Sequence, residues 1–256
     1  MDGSLLYRFR SKGVDISPES ESLRYVASRV GYRSLDRYRA RADFLFKGIS
    51  LQGSRVLEIG CGAGAWSLWA AVRGASSVLG LEPEAEGSGR GTAQIFADTV
   101  KTLNLQDRVS ISSLYLQELK TKERFDIVVL YDVINHLDES AVVSLHCDPR
   151  SQKRFHEIAQ QLFSLTAPGG FLLIADCARS NFWKSLSLES PLARSIEWEK
   201  HQNPSVWIQL FKNIGYQTVD LRWSPLYPFG ALSSNWLMQY MTSSHFVLRL
   251  RKPLES

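Results

Sequence analysis

Short apolar runs alternate with stretches of helical period through the middle of this chain. Five runs read as strands: Arg55–Ile59, Ser77–Leu81, Val109–Ser112, Phe125–Leu130 and Phe171–Ala175. Between them the apolar spacing predicts helices over Ala65–Arg73, Thr92–Leu103 and near Gln152–Leu165, with Gly74 and Asn104 as C-terminal stops. Phe125–Leu130 carries Ile-Val-Val-Leu without alternation, the pattern of a strand covered on both faces. Ala167-Pro168-Gly169-Gly170 reads as a turn, and Gly87, Gly89 and Gly91 punctuate a loop before the second helix. Strands and helices taking turns predict an α/β fold, a largely parallel sheet with crossover helices on both faces.

The flanks depart from that alternation. About fifty residues of helical and polar pattern precede the first strand and predict an N-terminal helical cap. A polar and aromatic segment, Asn181–Gln202, reads as a lid after strand five; a helix over Ser205–Ile214 and two late strands near Thr218–Trp223 and His245–Leu250 follow. No Pro/Gly/Ser-rich linker divides the chain and no repeat appears, so a single domain is expected over 1–256: cap 1–52, core 53–177, lid 178–204, and a C-terminal helix with the last strands over 205–256.

Composition narrows the classes. A chain of 256 residues can bury a sizeable core. No apolar run approaches the ~18 residues of a membrane span, and the first residues lack the apolar centre of a signal peptide. Three scattered cysteines, Cys61, Cys147 and Cys177, suit a reducing compartment, so a cytoplasmic protein without a membrane partner is expected. With no CxxC or HxxxH pair, no metal site is predicted. The net charge of +4 is spread along the chain apart from Arg29, Arg33, Arg37, Arg39 and Arg41, a weak basis for a nucleic-acid partner.

The strongest local signal is Val56-Leu57-Glu58-Ile59-Gly60-Cys61-Gly62-Ala63-Gly64, a strand running into alternating glycines and then a helix. Such glycines let backbone approach a ligand where a Cβ would block it. A dinucleotide enzyme has its third glycine one residue later, where this chain has Ala65, and that spacing disfavours NAD. Glu82 ends the second strand, where a carboxylate can accept both hydroxyls of a ribose.

With these residues the chain resembles the class I S-adenosylmethionine (SAM) dependent methyltransferases over roughly Arg55 to Ala175. VLEIGCGAG is similar to their first motif, Glu82 to their ribose-binding acid, FDIVVLYDVINHL to their fourth motif and LTAPGGFLLIAD to their fifth. The resemblance implies SAM as cofactor and a seven-stranded Rossmann-like sheet whose last strand, His245–Leu250, inserts antiparallel. It places Glu58 near the methionine portion and the glycines of the turn, Gly60 to Gly64 with Cys61 between them, along the cofactor cleft with Tyr131 or Asp132. The family often has an acid after the third strand to accept the adenine amino group; this chain has Ser113-Leu114-Tyr115-Leu116-Gln117, so Gln117 is the candidate acceptor and Tyr115 a candidate stacking ring. An arginine of the cap often holds the cofactor carboxylate, and Arg37 is the candidate, although Arg33, Arg37 and Arg41 also share the spacing of a solvated helix face.

The acceptor should lie outside the carboxyl ends of strands four and five. Asn135, His136, Asp138 and Glu139 follow the first of these, Asp176, Arg179 and Asn181 the second, and the lid adds Glu197, Lys200 and His201. A hydroxyl or ammonium acceptor must lose a proton, so His136 is the leading base, Asp176 a group to orient it, and His201 an alternative base. Pro225-Leu226-Tyr227-Pro228 reads as a rigid loop beside the acceptor, while the aromatic residues Trp207, Trp223, Phe229 and Trp236 are expected mostly in the core. The expected reaction is methyl transfer to a small or medium-sized organic acceptor, oxygen before nitrogen. An RNA or DNA methyltransferase is the second reading, although the Asn/Asp-Pro-Pro-Tyr/Phe pattern of amino-group modifiers is absent where Tyr131-Asp132-Val133-Ile134 stands. A non-catalytic SAM-binding module is the third.

Overall fold

The computed structural model describes residues 17–84, 89–190, 196–226 and 234–254. Its seven strands are β1 (Arg55–Ile59), β2 (Ser77–Leu81), β3 (Val109–Ser112), β4 (Phe125–Tyr131), β5 (Thr166–Cys177), β6 (Gln217–Trp223) and β7 (His245–Arg251), in the sheet order β3-β2-β1-β4-β5-β7-β6. β7 is antiparallel to both of its neighbours, and every other pair is parallel. Strand order reverses between β1 and β4, so their helical connections leave on opposite faces and open a crevice at the carboxyl edge.

Helices cover both faces because the parallel strands are apolar on both. α1 (Pro18–Arg29), α2 (Leu35–Leu45), α3 (Ala65–Val72) and α4 (Thr92–Thr102) bury Leu23, Tyr38, Leu45, Trp69 and Phe96 with Val56 of β1 on one side. On the other, α5 (Glu139–Ser144), α6 (Pro149–Leu165) and α8 (Pro204–Ile214) bury Val142, Phe155, Leu162, Trp207 and Phe211 with Leu57 of β1. Each such large apolar side chain contributes roughly 1.5–3 kcal/mol on burial. α7 (Phe182–Ser185) and α9 (Trp236–Tyr240) are short and pack ring to ring through Phe182 and Tyr240 at the carboxyl edge.

Where element ends differ from the sequence expectation, local polar chemistry explains it. α6 begins at Pro149, ahead of Gln152, because Asp148 accepts from the Ser151 amide at 2.8 Å and proline suits the first helical position. α5 is a separate helix capped by Asp138, whose carboxylate accepts from the Ala141 amide at 3.0 Å. The Ala167–Gly170 segment forms part of β5 as an irregularity: the β4–β5 register shifts there, and a Cβ on Gly170 would stand 2.9 Å from the Asp126 carbonyl oxygen. In the first fifty residues the helices α1 and α2 are capped by Ser17 and Ser34, whose side chains each accept from a first-turn amide at 3.2 Å. Gly87 of the glycine loop, Tyr227 and Pro228 of the expected acceptor loop, and Phe229 of the aromatic residues expected in the core lie outside the described residues.

Candidate active site

Gly60, Gly62 and Gly64 all adopt left-handed backbone, at φ of 66°, 53° and 81°. Only glycine does so without strain, and this drives β1 sharply over its own end into α3. The three are not equivalent. A Cβ on Gly60 would meet Val133 at 2.4 Å and one on Gly64 the Phe96 ring at 2.5 Å, whereas one on Gly62 would meet nothing within 4 Å. Gly62 therefore faces open space, on the wall of a cavity of about 400 Å³ at the carboxyl ends of β1, β2 and β4.

Of the residues selected from the sequence, Gly60, Gly62, Glu82, Gln117, Asp132 and His136 line this cavity, together with Tyr115 and Glu139. Glu82 is buried at the end of β2; its carboxylate accepts from the Gly62 amide at 2.6 Å and the Glu84 amide at 2.9 Å. Those donors fix the carboxylate on the cavity wall. The Gln117 side chain donates to the Leu137 carbonyl at 3.0 Å, which leaves its oxygen as the acceptor.

The remaining candidates lie off the cavity wall, each for a physical reason. Glu58 is buried beneath the first turn of α3, accepting from the Ser67 amide at 2.7 Å and the Ser67 hydroxyl at 2.6 Å. Burial raises its carboxyl to about 7 against those hydrogen bonds. Cys61 is buried and turns its sulfur under β2, 2.7 Å from where a Gly80 Cβ would stand. Tyr131 packs between Trp66 at 4.7 Å and His245 at 5.5 Å between ring centroids. Arg37 lies on α2, where it and Arg41 act on the Tyr32 hydroxyl, a group that burial pushes up to about 12.

The acceptor-side candidates fall into two dyads. Nδ1 of His136 is 2.6 Å from a Glu139 oxygen, and the other Glu139 oxygen is 2.9 Å from Nζ of Lys200. Those two partners, Lys200 first, hold the Glu139 carboxyl below its ordinary range. An ionised carboxylate only accepts, so the proton of neutral His136 sits on Nδ1, and Nε2 accepts from Nδ2 of the Asn135 side chain at 3.4 Å. Separately, wholly buried Asp176 places Oδ1 3.0 Å from Nδ1 of His201 and 2.7 Å from the Cys177 amide. Asp176 thus pairs with His201 rather than His136.

A third histidine went unselected in the sequence, where His245 reads only as the start of a strand. It contacts Asp132, which is 113 residues away, with Nε2 3.2 Å from Oδ1. Only the antiparallel insertion of β7 brings its first residue to the carboxyl edge.

A glycine cradle that a Cβ would partly fill, a fixed carboxylate at the second strand and an amide acceptor beyond the third fit an adenosyl cofactor. Fold and cleft together define a class I SAM-dependent methyltransferase. A family model described as "Methyltransferase domain" matches residues 29–221, and the chain belongs to that family. It is 25% identical over 203 residues to the ubiquinone biosynthesis O-methyltransferase of Rhodopseudomonas palustris (strain BisB18), covering 75% of this chain and 70% of the relative. Its fold matches an S-adenosylmethionine dependent methyltransferase from Mesorhizobium loti, with a TM-score of 0.55 at 14% identity over 88% of this chain and 100% of that one. It also matches the [4+2]-cyclase SpnF, with a TM-score of 0.57 at 14% identity over 87% and 82% of the two chains. Fold alone therefore does not name a reaction. Among the described residues no helix is long and apolar enough to cross a membrane, and no group of three or more His, Cys, Asp or Glu side chains could hold a metal ion.

Proposed function

We propose that the protein transfers the methyl group of SAM to a hydroxyl of a small organic acceptor, with His136 as the general base. The observation that carries this reading is the His136–Glu139 dyad on the wall of the cofactor cavity, with Nδ1 bound to Glu139 and Nε2, at 3.4 Å from the Asn135 side-chain amide, as the nitrogen that would take the proton. SAM supplies an electrophilic methyl group on a sulfonium. Glu82 would take the ribose hydroxyls and Gln117 the adenine amino group, with Tyr115 beside the base, and Gly62 would let the backbone close on the cofactor. His136 would remove the acceptor's hydroxyl proton as the oxygen attacks, and Glu139 would stabilise the imidazolium by accepting from Nδ1. Lys200, 2.9 Å from the second Glu139 oxygen, ties this dyad to the turn at Trp198–Lys200. The 25% identity to an O-methyltransferase supports oxygen as the target atom.

Incubation with SAM and a panel of phenols, carboxylic acids and amines, read by mass spectrometry of the products, tests the reading. Methylated phenols with the wild type, and a loss of 10²–10⁴-fold in kcat for His136→Ala at unchanged SAM affinity, are the expected results. Methylation of amines alone would remove the hydroxyl reading. Activity that survives His136→Ala and is lost in His201→Ala would move the base to the second dyad, whose Asp176 is buried against His201.

A further inference from the structure

Asp132 adopts left-handed backbone at φ 54°, a conformation that costs a non-glycine residue on the order of 1 kcal/mol, and it does so on the cavity wall. The surrounding contacts hold it there. Its amide donates to the Ala175 carbonyl at 2.8 Å and its Oδ1 faces Nε2 of His245 at 3.2 Å. His245 is 7% exposed, and its Nδ1 lies 2.6 Å from the hydroxyl oxygen of buried Ser224.

These contacts determine which nitrogen carries the proton. A carboxylate accepts only, so neutral His245 must present Nε2–H to Asp132, and Ser224 must then donate its hydroxyl to Nδ1. A buried glutamine clamps both partners: Gln239 accepts from the His245 amide at 3.0 Å and donates to the Ser224 carbonyl. The result is a built chain, from α9 through β6 and β7, that ends on one carboxylate in the cleft.

We propose that His245 is a positioning residue for the cofactor. Its Nε2–H, in the tautomer set by Ser224, holds the Asp132 carboxylate in the cleft, where the remaining oxygen accepts from the cofactor's ammonium group. This concerns SAM itself and does not depend on the acceptor proposed above. Because S-adenosylhomocysteine carries the same ammonium group, both molecules are probes.

The experiment is calorimetric titration of the full chain with each probe for the wild type, His245→Phe, His245→Gln, Ser224→Ala, Asp132→Asn and the Asp132→Asn/His245→Phe double variant, with thermal melts as a folding control. His245→Phe is expected to weaken both probes by about tenfold or more, the scale of a hydrogen bond to a charged group. His245→Gln, whose amide nitrogen can donate in place of Nε2, should recover most of that, and the double variant should bind no worse than Asp132→Asn alone. Ser224→Ala, which frees the tautomer, should lose a few-fold and keeps the proposal testable if the phenylalanine variant fails to fold. Folded variants that bind both probes as the wild type does, losses that add in the double variant, or a glutamine no better than phenylalanine would each overturn it.

Discussion

The three glycines of the turn share one backbone conformation and differ in what surrounds them, so their substitutions should separate binding from folding. Gly62→Ala places a methyl in the cavity and bears only the left-handed strain, about 1 kcal/mol. Gly64→Ala drives a methyl into the buried Phe96 ring and adds overpacking of about 1–3 kcal/mol. SAM titration with urea unfolding should show Gly62→Ala losing affinity with little loss of stability, and Gly64→Ala losing more stability. Equal stability losses would contradict the open cradle.

Glu58 makes a second prediction. Its folded-state value of about 7 lies above its ordinary 4.5, so between those values the folded protein holds a proton that the unfolded chain has released. Its stabilising effect is therefore full below about pH 4.5 and is lost as pH rises through 7, a change on the order of 3 kcal/mol. Glu58→Gln keeps an acceptor for Ser67 and should flatten this part of the stability profile. Urea unfolding at pH 5 and pH 7.5 decides, and an equally steep fall in the variant would rule Glu58 out as its source.

Among the elements, the short helix α5 carries a burden beyond its length. Asp138 caps it, accepts from Nε of Arg154 at 2.9 Å, and so fixes the helix that presents Glu139 to His136. Asp138→Ala should cost about 1 kcal/mol of stability through the lost cap. On the reading proposed above it should also lower kcat while sparing SAM affinity, because the base loses its orienting partner and the cofactor residues do not. Thermal melts with steady-state kinetics check this, and a variant that loses stability with kcat intact would detach α5 from the chemistry.

Across the whole molecule, the cleft is assembled from the ends of β1, β2 and β4, which only the folded sheet brings together. A ligand that binds that assembly stabilises the fold by mass action, about 2.7 kcal/mol at a hundred times its Kd. For a chain of this size, SAM at that concentration should raise Tm by roughly 5–10 °C, and NAD should leave it unchanged. A shift with NAD instead would contradict the cofactor assignment. Glu82→Ala should remove most of the SAM shift, since the carboxylate fixed by the Gly62 and Glu84 amides is then absent.

The boundaries of β1, β2 and β3, the positions of the long helices and the cofactor class were legible in the sequence, because each rests on a contiguous signal. An apolar run demands burial wherever it lies, and Gly60-Cys61-Gly62-Ala63-Gly64 states its own backbone conformation. What could not be read locally is partnership. That Asp176 meets His201, that Lys200 reaches Glu139 and that His245 stands against Asp132 depends on sheet order and on the reversed direction of β7, set by the packing of two whole helical layers. The sequence by itself determined which strands form, since those follow from neighbouring residues, and which class of cofactor is bound, through the combined resemblance of its motifs from Arg55 to Ala175. Tertiary structure decided which acid holds which histidine, because a hydrogen bond requires a separation near 3 Å, and chain distance says nothing about that until the sheet has closed.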